Sequence, residues 1–150
     1  MLSRPYHRAV RRFAPIFALA ASAYVTVTPA AGAVVTQFRT PSGNIGCVYA
    51  SDFGHRPSLR CDIRSGLEPK PPGPKNCDLD WGDSYEMGVT GRVYVTCHGD
   101  TAIDPRSRVL RYGRTWRKPG FVCTSKPVGL RCRNRGRHGF FLSRQHSYRF

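Results

Sequence analysis

The sequence predicts an all-β domain: a small disulfide-stapled sandwich or barrel-like fold built from short hairpins. Three observations predict it. Short runs rich in β-branched and aromatic residues recur between clusters of Gly, Pro, Asn and Asp. No window keeps apolar residues at i, i+3, i+4 and i+7 over a helix length. Six cysteines lie within 150 residues, and an even number in one chain is the mark of a disulfide framework. With 40% hydrophobic and 11% aromatic residues, the chain is not a disordered tail. No run of about 20 apolar residues exists, which excludes a multi-span membrane protein.

The elements follow in order. Residues 1–12 carry Arg4, Arg8, Arg11 and Arg12 and no acid, and Phe13 to Val27 is uncharged and mostly apolar. Ala31-Gly32-Ala33 then supplies a small-x-small cleavage pattern. These three parts predict a secretory signal peptide over residues 1–33, cleaved after Ala33, and a secreted β domain over 34–150. The residues around Arg11-Arg12 do not fit the twin-arginine route, so the general secretory route is expected. Removing the segment lowers the formal charge from +15 to +11.

Val35, Gln37 and Arg39 alternate with Thr36, Phe38 and Thr40, which predicts a first strand. Thr40-Pro41-Ser42-Gly43-Asn44 predicts a turn, because Pro fixes φ and Gly permits positive φ. Gly46–Ala50 and Leu59–Ile63 predict a hairpin around Cys47 and Cys61, with a Gly/His/Pro loop between them. Pro69, Pro71, Pro72 and Pro74 make residues 65–76 an extended surface loop. Strands are expected over Arg92–Cys97 and Arg108–Gly113, with Thr115-Trp116 beyond the glycine. Phe121–Thr124 and Leu130–Arg133 predict a second hairpin around Cys123 and Cys132, followed by Gly139–Ser143. Leu59-Arg60-Cys61 and Leu130-Arg131-Cys132 are identical triplets, a weak pseudo-repeat.

Facing cysteines in each hairpin suit disulfide reach. The expected pairing is therefore Cys47–Cys61, Cys123–Cys132 and, by remainder, Cys77–Cys97. Zinc is disfavoured, because a tetrahedral site gathers close pairs such as C-x-x-C. Cys97-His98 is the one adjacent Cys/His pair.

Charge is polarised along the chain. All nine acids fall between Asp52 and Asp104, whereas Pro105 to Phe150 holds thirteen Lys+Arg and no acid. Arg131, Arg133, Arg135 and Arg137 recur with period two and would share one face of a strand, about 6.6 Å apart. Asn134 and Gly136 are positioned to turn the chain after Arg133. Tyr112, Trp116, Phe121, Phe140, Phe141 and Tyr148 lie among these charges. Guanidinium meets phosphate and rings stack, so the mixture suits a polyanion-binding surface. The expected contact residues are Arg111, Arg117, Lys118, Arg131, Arg133, Arg135, Arg137 and Arg144. The expected partner is an anionic cell-envelope or extracellular polymer. A protein partner, as for an inhibitor or adhesin, is the alternative. For the aromatics taken singly, the core is the commoner destination.

Catalytic signals are poor. No G-x-S-x-G, H-E-x-x-H, P-loop or dinucleotide turn occurs. A small secreted nuclease would need an acid and a base, and His98, His138 and Glu86 are the nominees. Glu68 with Glu86 would be a glycosidase pair, with Glu68 poorly positioned in the Pro-rich loop. Asp78, Asp80 and Asp83 recommend calcium only weakly, because Gly82 precedes the third Asp. An acidic loop lying against the basic half is the plainer expectation. No catalytic residue, metal or cofactor is expected.

At Thr40-Pro41-Ser42-Gly43-Asn44-Ile45-Gly46-Cys47 the chain resembles a family of small secreted actinobacterial domains of unknown function. The likeness continues through Leu59–Ile63, Asp80-Trp81-Gly82, Cys97-His98-Gly99-Asp100 and Leu110–Gly113 with Trp116. It ends in Phe121–Ser125, Gly129–Asn134 and His138–Arg144. The resemblance implies secretion and a disulfide-bonded fold, and it implies no activity, substrate or catalytic residue. One departure is Arg137, where the pattern puts Gly before His138.

Overall fold

A computed structural model describes residues 32–51 and 56–150. Strands β1 (Val34–Arg39), β2 (Ile45–Ser51), β3 (Ser58–Ile63), β4 (Ser84–Gly88) and β5 (Tyr94–Val95) form an antiparallel meander. β6 (Arg108–Val109) joins its edge, parallel to β1. A second antiparallel meander runs β7 (Thr115–Lys118), β8 (Phe121–Lys126), β9 (Gly129–Asn134), β10 (Gly139–Leu142) and β11 (Ser147–Arg149). The described residues contain two sheets, no helix and no closed barrel. The signal segment lies outside the described residues except for Gly32 and Ala33, as does most of the loop between β2 and β3.

Alternation explains the packing. Along β9, Leu130, Cys132 and Asn134 are buried while Arg131 and Arg133 are exposed, the period of two that one solvated face requires. The inner faces meet in one core. Phe38, Leu59 and Met87 from the first sheet and Phe121, Leu130, Phe140 and Leu142 from the second are at most 2% exposed. Each such side chain contributes about 1.5–3 kcal/mol on burial.

The two sheets repeat one plan. Phe38, Cys47, Cys61 and Tyr85 stand opposite one another across β1 to β4. Trp116, Cys123, Cys132 and Phe140 do the same across β7 to β10. These aromatic–Cys–Cys–aromatic rows face each other. Phe38 and Trp116 have ring centroids 4.8 Å apart, and Tyr85 and Phe140 5.8 Å. The identical Leu-Arg-Cys triplets therefore occupy equivalent seats on β3 and β9. The disulfides are Cys47–Cys61, Cys77–Cys97 and Cys123–Cys132. The two hairpin disulfides have the same Cα separation, 4.1 Å.

Several expected elements differ. The 92–97 strand shrinks to β5, because Cys97 is tied to Cys77 and His98 pairs with Asp80. The 108–113 strand stops at Val109, where Arg111 to Arg114 turns with Gly113 at φ 78°. β4 and β11 were not expected at all. The row of four arginines ends at Arg133. β9 closes at Asn134, whose buried amide donates to Gly88 O and Gly91 O and accepts from the His138 N–H. Arg135 and Arg137 lie in the turn beyond it.

Candidate polyanion-binding face

Beside the first sheet, Arg60, Asp62, Asp83, His98 and Asp100 are paired with one another. The Asp62 side chain is 1% exposed and accepts from Arg60 at 2.8 Å, from Thr101 Oγ1 at 3.2 Å and from the Ala102 N–H at 2.6 Å. Arg60 also donates to Asp100 Oδ1 at 2.8 Å. Partial burial pulls the Arg60 guanidinium down, but its bonds to Asp62 and Asp100 outweigh this, and the net shift is upward. Arg60 in turn holds the Asp100 carboxyl below its ordinary range. His98 Nε2 lies 2.8 Å from Asp83 Oδ1, and Nδ1 lies 2.6 Å from Asp100 O. The expected contact of the acidic loop with the basic half is not what Asp83 makes. Its carboxylate bonds a histidine of its own half. Among the described residues, no cluster of three or more His, Cys, Asp or Glu groups is arranged to hold a metal.

The catalytic nominees lie on separate elements. His98 joins two loops beside the first sheet, Glu86 lies on β4 opposite Tyr94, and His138 closes the turn after β9. Burial, with the Glu86 carboxylate beside it, pushes the Tyr94 phenol up to about 12. Glu68 sits in the Pro-rich segment, which is docked to Ser147 at the start of β11.

The second sheet is different. Beyond Pro105, Arg106 with Asp104 is the one ion pair among the described residues. Parallel pairing of β6 with β1 carries the 108–114 segment along the edge of the first sheet, and β7 follows on the second. Between them lies a groove of about 890 Å³ whose rim includes Arg108, Arg111, Arg114, Arg117 and Lys118, with the half-buried Trp116 in its wall. No acid lines it. Arg117 also turns to the outer face of the sheet. There it shares a depression of about 340 Å³ with Arg131 and Arg133. A neighbouring depression brings Lys118, Arg135 and Arg137 to Arg117 and Arg133. Of the eight expected residues, six thus border two adjoining depressions. Arg111 lies in the groove that shares Arg117 and Lys118, and Arg144 stands apart near Lys126 and Tyr112.

Sequence reasoning missed Arg108 and Arg114, whose three-residue spacing from Arg111 in an acid-free stretch was the available signal. It also missed Phe150, which lies under the Arg131 guanidinium at 3.7 Å. Of the six aromatics noted, Phe121 and Phe140 are core. Trp116 and Phe141 are half-buried, and Tyr112 and Tyr148 are exposed.

The sequence pattern of DUF6636, a family of unknown function, matches residues 17–150. The chain belongs to the DUF6636 family. No curated protein and no solved structure matches it. DUF6636 membership carries no assigned activity, so the chemistry of the site rests on its geometry. The motifs of the resemblance fall largely on scaffolding. Leu59–Ile63 supplies Arg60 and Asp62, Asp80–Gly82 backs onto His98, and Asp100 completes the clamp. Arg137, where the resemblance leads to the expectation of Gly, has φ 67°. That left-handed conformation favours glycine.

Proposed function

We propose that this disulfide-rich β domain works outside the cytoplasm as a non-catalytic binding module for anionic polymers of the envelope or extracellular space. The observation that carries the reading is the groove with five cations on its rim and, among the described residues, no acid in its lining, continued by Arg131, Arg133, Arg135 and Arg137. Guanidiniums that have no ion-pair partner among the described residues, gathered in a concave site, raise the local concentration of anions and align with phosphate or carboxylate oxygens. Three disulfides fit a chain that matures in an oxidising compartment.

The test is a salt titration of binding to a phosphate-rich polymer. Each neutralised phosphate releases counterions, so affinity falls steeply with salt. The Arg111→Ala/Arg114→Ala variant is expected to weaken binding and flatten that dependence. Absent or salt-insensitive binding sinks the proposal.

A further inference from the structure

Beside the cationic strip on the outer face of the second sheet lies a strip of rings. Phe141 on β10 is in register with Arg131 on β9 and Tyr148 on β11. Phe141 and Tyr148 have centroids 5.4 Å apart and planes 30° apart, and His146 and Tyr148 lie 5.9 Å apart and nearly parallel at 6°. Phe150 pairs with Gly139 through two backbone hydrogen bonds. A Cβ at Gly139 would clash first with the Cys132 carbonyl oxygen of β9 and then with the Phe150 ring at 2.6 Å. Glycine therefore leaves room both for the β9 backbone and for that ring beneath Arg131. Tyr148 is 43% exposed, more than a core role explains.

We infer that this face binds single-stranded nucleic acid, with phosphates along β7 to β9 and bases against the rings of β10 and β11. The inference rests on the polyanion reading and specifies its polymer. The arrangement of charge and ring selects the class. In a nucleic acid strand the charged backbone and the flat bases run as two parallel lines. In an acidic polysaccharide the carboxylate belongs to the ring that would stack, so charge and ring share one line. On this one outer face, Arg117, Arg131 and Arg133 occupy the half formed by β7 to β9, and Phe141, His146 and Tyr148 the half formed by β10 and β11. Neighbouring strands are about 4.8 Å apart, so the rings of β10 and β11 lie one to two strand spacings from Arg131 and Arg133 on β9, and Arg117 on β7 extends the cationic side two strands further out. Near-parallel rings continue a stack of bases without reading sequence, and a basic groove beside them tracks the backbone. Arg131, seated on Phe150 and 3.5 Å from the Tyr148 hydroxyl, joins the strips. No acid interrupts either one.

The experiment measures fluorescence anisotropy of the oxidised full chain with a labelled oligo(dT) of about 15 nucleotides, within the usual range of single-strand site sizes. Inorganic polyphosphate and polygalacturonate serve as unlabelled competitors. Oligo(dT) is expected to bind at least tenfold more tightly than polyphosphate of equal charge. Tyr148→Ala is expected to weaken oligo(dT) about tenfold, within the usual range for one stacking platform, and to leave polyphosphate unchanged. Tyr148→Phe should restore most of the loss. Arg131→Ala/Arg133→Ala should weaken both ligands and flatten the salt dependence. Equal affinity for both polymers, insensitive to Tyr148→Ala, overturns the inference and leaves the polyanion reading standing. Tyr148-dependent binding of polygalacturonate in preference to oligo(dT) overturns it in favour of a sugar chain. Failure of every polyanion to bind removes both readings.

Discussion

Arg60 and Arg131 hold the same seat in two copies of the same plan, each preceding the second cysteine of a stapled hairpin. Their surroundings could hardly differ more. Arg60 is 12% exposed and gripped by Asp62 and Asp100, so it fastens the 100–102 loop to its sheet. Arg131 is exposed and rests on an aromatic ring. One scaffold thus uses its guanidinium inwardly in a leaf that contains acids and outwardly in a leaf that contains none. The pair teaches that the function of an arginine here is decided by where carboxylates are, since backbone position is held constant.

The sharpest way to break this comparison is to remove the inward partner. Asp62→Ala leaves Arg60 and the Ala102 N–H without their buried acceptor, and a loss of about 3–5 kcal/mol is expected in urea unfolding. Arg131→Ala should stay within about 0.5 kcal/mol in the same assay. Comparable losses would erase the distinction. Next in size are the staples. Replacing both cysteines of Cys47–Cys61 or of Cys123–Cys132 by alanine is expected to cost roughly 3 kcal/mol each, and a large disparity would show that the leaves are not equivalent. Arg137→Gly relieves a left-handed residue at φ 67° and is expected to raise stability by about 1 kcal/mol. A loss instead would mean that the side chain itself holds the turn.

The smallest effect concerns pH. Asp100 is held below its ordinary range, first by its hydrogen bond to Arg60. A depressed carboxyl stabilises the fold above its unfolded-state pKa, and that contribution disappears as pH falls through the folded value. The Asp100 side chain is 80% exposed, so solvent screening keeps its share below about 1 kcal/mol. Asp100→Asn should therefore cost little at neutral pH and nothing in acid, as thermal melts at the two pH values would show.

The cysteine hairpins were legible because each strand carries its own staple and is bounded by turn residues. β4 was not. Its Ser84-Tyr85-Glu86-Met87-Gly88 run lacks β-branched residues, and pairing with β3 and β5 makes it a strand. β11 is three residues whose register with β10 is set by tertiary contacts. The acid-free segment announced a basic region, yet its groove was hidden. Arg108 joins the groove of Arg117 because β6 pairs with β1, some seventy residues earlier in the chain, and local spacing does not encode that pairing. Asn134 marks a chain turn by residue type alone. What residue type did not reveal is that its buried amide bridges to the Gly88–Gly91 loop of the other sheet.

The order of the disulfides has a consequence for biogenesis. Every cysteine bonds to its nearest unpaired neighbour along the chain, at separations of 14, 20 and 9 residues. Thiols oxidised in the order in which they emerge, two at a time, arrive at the native set. Each leaf can be closed before the next has been delivered, and no cross-link waits for the two leaves to meet. Maturation by this route calls for an oxidant but no reshuffling of bonds.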